Sequence, residues 1–315
     1  MSTPLRVAVI GVGHLGQHHA RILAARPEVS LVAIVDVNAA RAAEVAAAVG
    51  TQALTDPAAL ADLQLDAVVV SVPTDAHAAI AGPLLRRGIA ALVEKPLART
   101  LDEADQLIAA ARDGGSVLAV GHSERFNPAV MAALPHITRP GFVEVHRLGT
   151  MPGRSLDIDV VFDLMIHDLD VLLATVGPEV TSVEAVGVPV LTPRVDIANA
   201  RLRFASGCIA NITASRISRD RVRKIRYFQP QSYVSIDYAS QELEMWSLRP
   251  GAIGLAAIQG GKIEIPRGEP LELELVDFID AVRDRRVPRV SGEDGRRALA
   301  LAQRITDCME GRGGQ

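Results

Sequence analysis

Cysteine is scarce in this chain of 315 residues: Cys208 and Cys308 are the only two. Two distant thiols cannot build a disulfide framework and lack the spacing of a metal site. They read as reduced thiols in a cytoplasmic protein. Aromatic residues make up only 3%, too few for base-stacking platforms. Neither sign of charge dominates, and a net −4 offers no basic face to nucleic acid. No apolar run approaches the roughly eighteen residues of a membrane span. Met1-Ser2-Thr3-Pro4 carries no basic lead of a secretory signal. No internal repeat or low-complexity tract is present.

What is there suits a folded, soluble chain. Hydrophobic residues reach 49% against 22% charged, which excludes disorder as the main state. The length favours two domains, expected at 1–121 and 122–315. In the first, apolar β-branched runs (Leu5–Ile10, Leu31–Asp36, Ala67–Val72, Ile89–Val93, Val117–Val120) alternate with alanine-rich helical stretches (Leu15–Ala25, Ala39–Val49, Ala76–Arg87, Leu101–Arg112). Strands apolar on both faces and separated by helices predict an α/β fold with a doubly wound parallel sheet. The second part predicts one helix at Val160–Thr175 and strands at Thr181–Val188, Ala198–Phe204, Cys208–Ser215, Ile225–Phe228 and Tyr233–Asp237. Helices Leu271–Arg283 and Gly292–Met309 close it. Strands with so few helices between them predict a largely antiparallel sheet.

Gly11-Val12-Gly13-His14-Leu15-Gly16 follows a strand and opens a helix. In that context Gly11 permits a tight turn, Gly13 lets backbone approach a pyrophosphate, and Gly16 lets helix pack close to strand. Phosphates would sit at the helix N-terminus. Asp36 ends the next strand, where a carboxylate accepts ribose hydroxyls and repels a 2′-phosphate, favouring NAD over NADP. Arg41 is close enough to leave NADP open. A plain glycine turn remains the alternative. His14, His18 and His19 follow the loop, and packing or exposure suits them better than metal binding, because neighbours 18 and 19 point apart.

Glu94-Lys95-Pro96 ends another strand, so Lys95 is expected beside the ligand, able to hydrogen-bond a substrate oxygen. A solvated loop lysine would read the same. Helical spacing places Asp163, His167 and Asp170 on one stripe beside apolar Val161, Met165, Leu169 and Leu172. The polar stripe suits a cavity wall in which His167 takes a proton near neutral pH. It could also face water, or chelate a metal.

Together, the glycine loop, Ser71-Val72-Pro73-Thr74 with His77, Glu94-Lys95-Pro96, and Asp163 with His167 resemble the Gfo/Idh/MocA family of oxidoreductases over nearly the whole chain. The resemblance implies an N-terminal Rossmann domain and a C-terminal α/β domain whose large, mostly antiparallel sheet joins a homodimer or homotetramer. It implies NAD or NADP as cofactor, a sugar or nucleotide sugar as substrate, and no metal, nucleic acid or membrane partner. By the family's motifs, Lys95 contacts the reacting oxygen, His167 is the acid/base, and Asp163 orients substrate. Ser71, Pro73, Thr74 and His77 border the cofactor, with Glu94 near the nicotinamide ribose. Gly121–Val130 together with Asp163–Asp170 resembles the branch that oxidises the 3-hydroxyl of UDP-N-acetylglucosamine. That places Arg125, Asn127, Arg154 and Arg216, with Arg147, as contacts of substrate or diphosphate. The alternatives are an inositol or free-sugar dehydrogenase, NAD-dependent glycoside cleavage, and a non-catalytic NAD-binding regulator. Loss of Lys95 or His167 would mark the regulator, and both residues are present.

Overall fold

The run Leu5-Arg6-Val7-Ala8-Val9-Ile10 forms β1 (Leu5–Ile10), with Val7, Ala8 and Val9 fully buried. A computed structural model describes residues 3–150, 158–249, 251 and 254–312, without the side chains of 255 and 256. After β1 come α1 (Gly16–Ala24), β2 (Val29–Val35), α2 (Ala39–Val49), β3 (Gln52–Leu54), β4 (Ala67–Val70), α3 (His77–Arg86), β5 (Ala90–Glu94), α4 (Leu101–Gly114) and β6 (Leu118–Gly121). All six strands run parallel in the order β3-β2-β1-β4-β5-β6. The order reverses between β1 and β4, which creates the crevice where such sheets bind ligands. Thr100 and Glu103 cap α4 reciprocally, as the capping-box spacing predicts. The sequence reading passed over β3, an edge strand of three residues.

The next stretch holds α5 (Pro128–Ala133), β7 (Phe142–Leu148), α6 (Ile166–Thr175) and β8 (Val180–Val188). It continues with β9 (Ile197–Phe204), β10 (Ile209–Ser215), β11 (Val222–Gln229), β12 (Ser232–Asp237), β13 (Glu242–Leu248) and β14 (Ile258–Ile263). These strands form one sheet, β14-β13-β12-β11-β7-β10-β9-β8. Every pairing is antiparallel except β7 with β10. One face packs on α6 through Val143, Val145, Leu169 and Leu172, all buried. The sequence reading missed β7 and β13 because Glu144 and His146 at outward positions of β7, the inward Arg147, and Glu242 and Glu244 of β13 break the apolar run.

The closing helices are α7 (Pro270–Asp284) and α8 (Gly292–Met309). They correct the expected boundaries. Leu271–Arg296 form one compact unit with Met1–His122, and Ser123–Pro270 with Arg297–Gln315 form the other. The cause is packing: Leu275, Phe278 and Ile279 of α7 are buried in the same core as Val7 and Leu92. Cys208 is buried and free, and burial pushes its thiol up to about 11. Among the described residues, no helix is long and apolar enough to cross a membrane.

Candidate active site

The first unit gathers its expected site residues at the carboxyl ends of β1, β2, β4 and β5. The three glycines there are glycine for different reasons. Gly11 has φ +83° and donates its N–H to Val35 O at 2.7 Å; an added Cβ would lie 2.4 Å from Ser71 O. A Cβ on Gly16 would lie 1.8 Å from Gly11 O. Both absences serve internal packing. A Cβ on Gly13 would meet nothing within 4 Å, so nothing inside the protein requires glycine there. The bare backbone leaves room for a ligand, and the N-terminus of α1 beyond it carries no side-chain cap and no acidic residue in its first turn. That is the donor arrangement a pyrophosphate needs, so the loop fits a dinucleotide. His14 and Leu15 are exposed on the same loop, and His14 stacks edge-on against His18.

Asp36 is half-buried, and its carboxylate accepts N–H groups from Val12 and Asn38, both at 2.9 Å. It ties the glycine loop to the β2–α2 turn while keeping lone pairs for ribose hydroxyls. Val37, beside it, is 91% exposed, an apolar surface that an adenine ring could cover and that sequence reading passed over. Arg41 is engaged elsewhere. It donates to Val12 O, Gln17 Oε1 and Glu44 Oε2 at 2.9, 2.7 and 2.8 Å. These bonds hold it away from a 2′-phosphate role and favour NAD.

Lys95 is half-buried, and the Lys95–Pro96 peptide is cis. Ser71 is tied to β1 by its N–H to Ile10 O at 2.7 Å, and Pro73 and Thr74 follow at the sheet's rim, Pro73 exposed. Two expected cofactor contacts turn inward instead. Glu94 is 6% exposed; its Oε1 accepts from His19 Nε2 at 2.8 Å and its Oε2 from the Lys95 N–H at 3.2 Å. A Cβ on Gly121 would lie 2.8 Å from Glu94 Oε2, so the carboxylate is caged. Glu94 therefore holds Lys95 from below, and His19 is the buried partner that makes this possible. His77 is 1% exposed, its ring nitrogens each 3.0 Å from the carbonyls of Pro96 and Val72. It braces the Lys95–Pro96 turn against the end of β4.

In the second unit the expected helix starts as a π turn, Val161–Met165, before α6 takes over. Such turns widen the helix and recur at functional sites. Asp163 and His167 are half-buried, whereas Val161, Met165, Leu169 and Leu172 are fully buried. The third member of the expected stripe is corrected: Asp170 is 1% exposed and pairs with Arg125 at 3.3 Å. The π turn alters only the step from Asp163 to His167; Asp170 leaves the stripe through its buried pairing with Arg125.

The expected substrate cations also belong elsewhere. Arg147 is 3% exposed and grips Asp168 with two hydrogen bonds. Arg216 is 1% exposed; it pairs with Asp196 and donates to the carbonyls of Ile158 and Val195. Asn127, 2% exposed, caps α5 and donates to Tyr238 O at 3.0 Å. A buried guanidinium or amide spent on fold contacts has no face for a diphosphate. Arg125 keeps partial exposure, and Arg154 lies outside the described residues. Sequence reading missed the ion cluster around Arg147, whose members are scattered along the chain and share no local motif. Among the described residues, no group of three or more His, Cys, Asp or Glu is arranged to hold a metal ion.

Comparison with known proteins agrees with this geometry. A family model described as "Oxidoreductase family, NAD-binding Rossmann fold" matches residues 5–122, and the Gfo/Idh/MocA C-terminal domain matches 154–229. UDP-N-acetylglucosamine 3-dehydrogenase of Acidithiobacillus ferrooxidans is 37% identical over 308 residues, 97% of each chain. A solved structure of that protein superposes with TM-score 0.92 at 36% identity, covering 99% of this chain and 100% of the other. Inositol 2-dehydrogenase of Rhizobium meliloti is 28% identical over 95% of this chain and 94% of its own. Levoglucosan dehydrogenase in complex with NADH and L-sorbose shares the fold, with TM-score 0.88 at 21% identity over 99% of this chain and 98% of that one. Matched by family models at 5–122 and 154–229 and by a 37% identical relative over 97% of its length, the chain belongs to the Gfo/Idh/MocA family of oxidoreductases, and its first unit is an NAD-binding Rossmann domain.

Proposed function

We propose that the chain is an NAD-dependent UDP-N-acetylglucosamine 3-dehydrogenase. The observation that carries this reading is the 37% identity over 97% of the chain to an enzyme of that name, against 28% for the inositol dehydrogenase of similar coverage. His167 takes the proton of the 3-hydroxyl as the alcohol becomes a ketone. Asp163, on the preceding π turn, orients the sugar. Lys95 hydrogen-bonds the reacting oxygen and offsets the negative charge that grows on it. NAD, when bound, would supply the acceptor for the hydride of the carbinol carbon. Gly11, Gly13 and Gly16 with the α1 N-terminus would hold its phosphates, and Asp36 its ribose. The protein's share is alignment and electrostatics.

The test is NADH formation measured at 340 nm with UDP-N-acetylglucosamine, other UDP-sugars, free sugars and inositols. Turnover of UDP-N-acetylglucosamine at least about tenfold faster, in kcat/KM, than of any unsubstituted sugar or inositol supports the reading. Preference for free sugars or inositols overturns it.

The proposal extends to self-association through the outer face of the second unit's sheet. Phe142, Phe228, Tyr233 and Trp246 are register partners in one row across β7, β11, β12 and β13. They are four of the chain's ten aromatic residues (six Phe, three Tyr, one Trp). Phe228 and Trp246 are 40% and 38% exposed, and an aromatic row bare to water favours burial against a partner. Phe228→Glu combined with Trp246→Glu should reduce the particle mass in light scattering. An unchanged mass removes this face as the interface.

A further inference from the structure

Behind the residue assigned as base lies a buried ion cluster that the reaction does not use directly. Arg147 donates Nε to Asp168 Oδ2 at 2.6 Å and Nη2 to Asp168 Oδ1 at 3.0 Å. Its Nη1 donates to Glu124 Oε1 at 3.0 Å, and its plane lies over the Tyr238 ring, 5.1 Å from the centroid. Asp168 is fully buried. Every nitrogen of the guanidinium and one of its faces are therefore committed. Burial opposes its charge, but Asp168 and Glu124 hold the group above the ordinary arginine value. For Asp168, burial pushes the carboxyl up and Arg147 pulls it back only in part.

Such a cluster needs a reason. A buried ion pair is rarely more stabilising than apolar side chains of the same volume, because desolvation cancels most of the attraction. What a two-pronged guanidinium–carboxylate contact supplies is orientation. The element being oriented follows from position. Asp168 is the next residue after His167, in the first turn of α6, directly after the π turn. The π turn is closed by the wider i→i+5 bond, Ile166 N–H to Val161 O, so the turn that follows enters α6 with a winding that a regular i→i+4 ladder would not give it. Two ion pairs grip that one turn: Asp168 with Arg147, and Asp170 with Arg125. Arg147 stands on β7, whose neighbours on both sides hold it in the middle of the sheet.

We propose that Arg147, acting through Asp168, is a positioning residue that fixes the rotation of the His167-bearing turn and thereby the direction in which its imidazole points. The proposal rests on the reading of His167 as the base. Arg147 makes no substrate contact. It adds a side-chain fork to the wider backbone bonds of the π turn, and Glu124 and Tyr238 keep the fork from swinging.

The test is a double-variant cycle with a spectroscopic arm. Arg147→Lys keeps the charge and removes the fork. It should lower kcat with UDP-N-acetylglucosamine and NAD by about 10- to 100-fold, leaving KM and the NAD Kd within about threefold. In a His167→Asn background the same change should cost less than about threefold, because a residue that acts through His167 has nothing left to position. Wild-type kcat in Arg147→Lys overturns the proposal, as does an equal loss in both backgrounds, which would mark a general effect on the fold. Should Arg147→Lys fail to fold, Asp168→Asn and Glu124→Gln run the same cycle. The spectroscopic arm needs no turnover. In ¹⁵N-histidine NMR, with His167→Asn assigning the peak, the His167 ring signal should shift or split in Arg147→Lys; an unmoved signal overturns the proposal. A wild-type enzyme inert toward every UDP-sugar would refute the substrate assignment and leave this arm as the deciding reading.

Discussion

Gly16 and Asp168 are both held fast, for opposite reasons. At Gly16 no side chain fits, since a Cβ would lie 1.8 Å from Gly11 O. At Asp168, on α6, a side chain is gripped by Arg147 from β7. The two units differ in the same way throughout. The first builds its site from backbone: glycines, strand ends, and a turn supported by the caged carboxylate of Glu94. The second builds its site from side chains on an irregular turn, steadied by ion pairs between residues distant in sequence. Backbone sites impose rules on neighbouring residues and leave a local signature. Side-chain networks impose rules only on pairs that meet after folding.

The sharpest way to test this contrast is to remove the reactive group from each unit. His167→Ala or Lys95→Ala should each lower kcat by about 10²–10⁴, with NAD binding retained in His167→Ala as judged by fluorescence titration. Wild-type turnover in both variants would break the role assignments.

The glycine loop offers a comparison within one unit. Gly16→Ala should destabilise the protein by roughly 2–3 kcal/mol or block folding, because the clash is with backbone. Gly13→Ala should leave the thermal midpoint within about 1 °C, since its Cβ meets nothing, yet weaken NAD binding by about tenfold. Equal behaviour of the two variants in both assays would erase the distinction between packing glycine and ligand glycine.

A smaller effect is expected at Asp196, fully buried in the second unit. Its carboxylate accepts N–H groups from Val190, Leu191 and Thr192 and the Thr192 hydroxyl. Burial opposes its charge, but these bonds prevail and hold it well below the usual carboxylate range. Because the folded value is lowered, the stabilisation is complete above the unfolded value near 4 and is lost as pH falls through the lower folded value. Asp196→Asn should reduce the thermal midpoint by roughly 2–6 °C at pH 7. The gap should close as the pH falls below 3.8. A gap that stays constant with pH would place the stabilisation in shape rather than charge.

How much was readable beforehand follows the same division. β1 and α2 fall on their expected residues, because a wholly apolar run and an alanine-rich stretch each match a single period. The glycine loop, Asp36 and the Glu94-Lys95-Pro96 turn were legible for the same local reason. His19 could not be read as the partner of Glu94, since nothing in the spacing of 19 and 94 announces a contact. The stripe through Asp163, His167 and Asp170 failed at its third member because the burial of Asp170 against Arg125, 45 residues away, leaves no trace in the spacing. Arg147 and Arg216 looked like free cations because a sequence shows charge without showing burial. The continuous second domain failed because the apolar face of α7 is the same whichever core receives it.

The return of α7 to the first unit also sets the order in which the protein can be completed. The Rossmann sheet is made first, but Leu275 and Phe278, which cover part of its core, leave the ribosome only after the whole second sheet has been synthesised. Until then the nascent sheet keeps an apolar face open to solvent and to chaperones. The earliest-made half of the enzyme is thus among the last to reach its finished state, and a fragment ending at His122 would carry that open face permanently.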